Sequence, residues 1–180
     1  MELLKKFLIN VTLIIIGFVI YFLQSDFFSW FTIAGVKPNV FVIYVLFIGL
    51  FGNRSMGIIY GSITGVILDL IFGEKVGANL FGLTLIGILA TLFDKNFSKD
   101  SRITIMFMVL GSTVIYELVV YFIKYILYEV NVEMLNLIKI LIVEVIYNIL
   151  ITIIIYPLIQ KFGYYIENEY KGNRILTRYF

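Results

Sequence analysis

The sequence predicts an all-α integral membrane protein with six transmembrane helices, and three observations carry that prediction. The 180 residues are 61% hydrophobic and only 14% charged, with a mean hydropathy of +1.01. That is too little charge to cover a water-soluble domain of this size. Runs of Phe, Ile, Leu and Val recur from Phe7 to Gln160, and a bilayer core is crossed by about 20 helical residues. The cations, finally, collect on one side of a six-span layout. No room is left for a soluble domain, so residues 1–180 are expected to form one polytopic membrane domain.

The spans fall at about 7–23, 39–52, 56–72, 79–93, 103–127 and 135–160. The first, in "MELLKKFLINVTLIIIGFVIYF", has the flavour of a secretory signal. Its apolar run is longer than a signal core, however, and "QSDFFSW" follows instead of a small-residue cleavage site, so an uncleaved helix is expected. Pro38 in "GVKPNV" marks the start of the second span, a place that suits proline. The second and fourth spans are short, so the bilayer thins around them or their neighbours shield them. Taking 39–52 and 56–72 as one broken helix gives a five-span alternative. Pro157 in "IIIYPLIQK" is expected to kink or end the sixth helix.

With both termini in the cytoplasm, Lys5, Lys6, Arg54, Lys95, Lys99, Arg102, Lys161, Lys171, Arg174 and Arg178 lie inside, against Lys37 and Lys75 outside. The opposite orientation, or five spans, spoils that bias. The loop "DKNFSKDSR" reads as a solvated connector. The tail "KFGYYIENEYKGNRILTRYF" mixes basic and aromatic residues and reads as lying along the inner membrane surface, a site for membrane lipid.

The third span holds the most distinctive pattern, "GIIYGSITGVILDLIFGEKVG". Gly57, Gly61, Gly65, Asp69, Gly73 and Gly77 fall on every fourth position. Steps of four drift slowly around one side of a helix, and small residues at that spacing let a second backbone approach. The row is therefore a groove, either structural or for a partner helix, with Asp69 aimed into it. A second constellation consists of Glu117, Lys124, Lys139, Glu144 and Asn148. Charge inside hydrocarbon is costly, so such groups pair or line a cavity. The topology sets Glu117 near mid-membrane and the others in the outer half, which predicts a polar, outward-opening cavity. Asp69 or Glu144 is expected to pair there with Lys124 or Lys139, although snorkelling toward the interface accounts for either lysine taken alone.

Cysteine and histidine are both absent. Disulfides, thiolate metal sites and the usual proton shuttle are excluded. No phosphate loop and no H-E-x-x-H motif occurs. The expectation is a protein that is not an enzyme, holds no cofactor or metal and takes no nucleic acid.

The run "KPNVFVIYVLFIGLFGNRSMGIIYGSITGVILDLIFGEKVGANLFGLTLIGILA" resembles the rod shape-determining protein MreD family. Its marks are Pro38, the "GNRSMG" turn, Gly65–Asp69–Gly73, and Gly77 leading to Phe81 and Leu83; the similarity covers about 36–90. Asn39 stands where that family more often has an acid. The resemblance implies a multi-pass protein of the bacterial cytoplasmic membrane, without enzymatic activity, in the cell-wall elongation machinery. It implies association with MreC, and through it with MreB, RodA and a class B penicillin-binding protein. It also implies a fold like the substrate-binding subunits of energy-coupling-factor transporters. A vitamin-binding subunit of such a transporter is the alternative function, disfavoured because the first span carries no small-xxx-small pair.

Overall fold

The computed structural model describes residues 2–72, 77–128 and 133–172. Six helices follow one another. The first, α1 (Glu2–Phe22), continues through a π-helical turn (Leu23–Phe27) and a last α turn (Phe28–Trp30). Then come α2 (Val40–Phe51), α3 (Arg54–Ile71), α4 (Ala78–Asn96), α5 (Arg102–Tyr128) and α6 (Met134–Lys171). Four helices, α1 with its extension, α4, α5 and α6, are long and apolar enough to cross a membrane; α2 and α3 are shorter.

The shortest helix sits at the centre. All twelve residues of α2 are buried, against α1, α3, α4, α5 and α6. Its Val, Ile and Phe residues are mediocre helix formers. A helix that is apolar all round is stable where every side is covered. Twelve residues rise about 18 Å, well short of a bilayer core. Shielding by neighbours thus accounts for the short second segment. The second and third segments are separate helices rather than one broken helix: α2 ends at Phe51, and Asn53 caps α3 by accepting from the Met56 N–H at 2.9 Å.

The closest backbone packing is between α3 and α4. A Cβ at Gly57 would stand 2.8 Å from the Gly49 Cα and 3.0 Å from the Gly87 carbonyl oxygen, so α2, α3 and α4 meet there main chain to main chain. A Cβ at Gly61 would collide with the Leu83 carbonyl, and one at Gly65 would stand 2.5 Å from the Leu80 Cα.

Helix α1 is peripheral. Within Glu2–Phe22 only Ile9 and Leu13 are buried, while Phe7, Phe18 and Phe22 are exposed. Helix α6 corrects two expectations. Pro157 lies inside it without ending it, and the helix runs on to Lys171. The first half of the expected surface tail is therefore helical, and its Gly163, Ile166 and Glu167 are buried. Residues beyond 172 lie outside those described.

Candidate functional site

Two polar networks close the ends of the short inner helices. The first lies where α2 and α4 begin. Asp69 is fully buried near the end of α3. Its Oδ2 accepts from the Gly77 N–H (2.8 Å) and the Leu80 N–H (3.1 Å); its Oδ1 accepts from the Asn79 N–H (3.0 Å) and the Asn79 Nδ2 (2.8 Å). A carboxylate offers about four acceptor sites, and all four are used. Three of the donors are orphan N–H groups at the start of α4, where the helix dipole also favours a negative charge, and the fourth is the Asn79 side chain. Gly77, the residue before that turn, has φ +145°, a conformation that suits only glycine. The glycine row and its aspartate thus form one device. Gly57, Gly61 and Gly65 let α4 lie against α3, and that approach brings Asp69 within reach of the start of α4.

From Asp69 the network crosses the bundle. The Tyr116 hydroxyl of α5 donates to the Asn79 Oδ1 at 2.5 Å. On α6, Asn148 is fully buried; its Oδ1 accepts from the Asn39 N–H (2.9 Å) and its Nδ2 donates to the Thr113 hydroxyl (2.9 Å). Beside it the Gln24 Oε1 accepts from the Val40 N–H at 2.9 Å. The first N–H groups of α2 are therefore held by two amide side chains, one from each end of the sequence. Glu144 is buried one turn before Asn148 and faces Glu117 side chain to side chain.

This arrangement revises several expectations. Among the described residues Asp69 pairs with the start of α4, through three backbone N–H groups and the Asn79 amide, rather than with Lys124 or Lys139. Lys139 is exposed, while Lys124 is partly buried in the field of Glu117. Glu117 lies beside the Asp69 cluster: its neighbour Tyr116 touches Asn79, which touches Asp69. The glycine row is occupied by α4 itself, so it is not a groove standing open to a second chain. Gly73 lies outside the described residues.

The second network closes the other end of α2. The Leu50 carbonyl, an orphan acceptor of the last turn, accepts from the Lys99 Nζ (3.2 Å) and the Lys171 Nζ (2.7 Å). Lys99 also pairs with Asp94 (2.7 Å) and Glu167 (2.5 Å), and Lys171 with Asp94 (2.8 Å) and Glu167 (3.6 Å). Two lysines and two acids thus alternate around one carbonyl. Lys99 is 6% exposed. The loop read as a solvated connector is instead anchored by a buried lysine. Asp94, Lys99, Glu167 and Lys171 were not expected as a site; the i, i+4 spacing of Glu167 and Lys171 is the one local signal of it.

The structure defines a class: a helical membrane protein, with four helices long and apolar enough to cross a bilayer, whose buried polar groups join its own helices end to side. Its family follows from a direct comparison. The chain belongs to the rod shape-determining protein MreD family, whose model matches residues 5–166, from the start of α1 to near the end of α6. The match is wider than the stretch of resemblance around α2 to α4. The family acts in rod shape determination and is not known for enzymatic activity. No curated protein and no solved structure matches the chain.

Proposed function

We propose that this protein is the non-enzymatic MreD-type component of the bacterial cell-wall elongation complex. It sits in the cytoplasmic membrane with six spans and both termini inside, binds MreC, and through MreC meets MreB, RodA and a class B penicillin-binding protein. The family match over residues 5–166 is the observation that carries this reading. The structure supports a particular version of it. Asp69 and the glycine row are used within the chain, which makes the α3–α4 pair a stiff wall. The partner then meets the outer side of that wall, where Ile59, Ile63 and Ile67 stand exposed at four-residue steps. Asp69 acts on the partner indirectly, by holding the wall in place.

The test is to purify the tagged protein from its native membrane in mild detergent and identify what accompanies it by mass spectrometry. Recovery of MreC-like and wall-synthesis proteins is expected, with loss of MreC in an Ile59→Ala, Ile63→Ala, Ile67→Ala variant that still folds. Recovery of a transporter ATPase with its membrane coupling subunit would overturn the proposal and point to the vitamin-binding alternative.

A further inference from the structure

An apolar slot runs between α1, α2 and α6, with a cavity volume of about 140 Å³. Leu13, Ile16 and Ile20 line it from α1, Ile43 and Phe47 from α2, and Ile155, Ile159 and Gly163 from α6. Its walls are pinned at both ends. At one end Gln24 ties the extension of α1 to the start of α2 through the Val40 N–H, and the Lys37 Nζ donates to the Gln24 carbonyl at 3.3 Å. At the other end Lys5 pairs with Glu169 at 2.9 Å, and the Tyr170 hydroxyl donates to the Lys6 carbonyl at 3.3 Å. In between, α1 touches α2 through the Tyr44 hydroxyl, which donates to the Leu13 carbonyl at 2.8 Å. What remains is a sideways gap between α1 and α6.

The geometry points to a binding site for one acyl chain of a phospholipid. Three observations select this occupant. Water has no partners in a slot lined by aliphatic and aromatic groups, and a gap facing lipid is filled by hydrocarbon. Width excludes a partner helix. Spread over the roughly 18 Å that α2 rises, 140 Å³ leaves a track about 3 Å across for the centre of a water-sized sphere, or about 6 Å wall to wall, against about 10–12 Å for a helix with its side chains. The pinned ends leave entry from the side, as a chain in the bilayer would enter.

The test uses the full chain in vesicles of phosphatidylethanolamine and phosphatidylglycerol, doped with a phosphatidylethanolamine that carries a diazirine on its acyl chain. After illumination, adducts are mapped by mass spectrometry. Lining residues Ile16, Ile43 and Ile159 are expected to be labelled about tenfold more than lipid-facing Phe18 and Ile154 once the probe is diluted with unlabelled lipid, the ratio that a preference of about 1.4 kcal/mol gives. Filling the slot with Ile159→Trp, or with Ile16→Phe if that variant does not fold, should abolish lining adducts and leave those at Phe18 and Ile154. Equal labelling of both sets would mean ordinary surrounding lipid and overturn the proposal. So would an unlabelled lining, or lining adducts that survive the filled slot.

Discussion

The two ends of α2 are closed by opposite chemistry. At its start, the Asn39 and Val40 N–H groups meet uncharged amide oxygens from Asn148 and Gln24. At its end, the Leu50 carbonyl meets two ammonium groups, themselves held by two carboxylates. Each choice complements the helix, acceptors at the N-terminus and donors at the C-terminus. The difference lies in what removal leaves behind. Truncating an amide strands a neutral group. Truncating a lysine strands buried carboxylates, and an uncompensated buried charge is the costlier remnant.

That contrast fixes an order of effects, all readable by thermal unfolding in detergent. Lys99→Met should be the most damaging, at about 3–5 kcal/mol, because Asp94 and Glu167 are left with Lys171 alone to balance two carboxylates. A melting temperature close to the parent's would mean that the ion pairs contribute little. Asp69→Asn comes next, at about 2 kcal/mol, since an amide NH₂ is set against N–H donors that need an acceptor. Asp69→Leu should be worse than Asp69→Asn, and equal costs would show that charge, not acceptance, is what the start of α4 uses. Asn148→Leu strands the Asn39 N–H and should cost about 1 kcal/mol. Gln24→Leu should fall near 0.6 kcal/mol, typical of a single hydrogen bond between membrane helices, because α1 is peripheral and free to adjust. If Gln24→Leu proved worse than Asn148→Leu, α1 would be more firmly bound than its exposure suggests.

How much of this could be read beforehand depends on the range of the interaction. The six helices follow from apolar runs, and the row from Gly57 to Asp69 follows from a four-residue step, both local patterns. The family likeness around Gly65–Asp69 was equally local. What α4 does to that row is not local. Nothing in the spacing shows that Asp69 meets the N–H groups of Gly77, Asn79 and Leu80 rather than Lys124 or Lys139, because that depends on where α4 starts. The closure by Lys99 and Lys171 joins residues as far apart as Leu50 and Lys171. Taken singly, each of its charges has the composition of an ordinary loop or helix end. Relative placement is non-local too: Glu117 comes beside the Asp69 cluster because Tyr116 meets Asn79.

The burial of α2 has a consequence for how the chain is made. Every surface that covers this helix, apart from α1, is synthesised after it, and the groups that finish its two ends come late: Asn148 for its start, Lys99 and Lys171 for its close. As the chain is inserted, α2 therefore waits as a short apolar segment with incompletely satisfied ends, lacking Asn148 at one and Lys171 at the other, until α6 arrives. Assembly is completed from the C-terminal side. A nascent chain halted before Asn148 should leave α2 open to crosslinking by the insertion machinery, and one extended past Lys171 should release it.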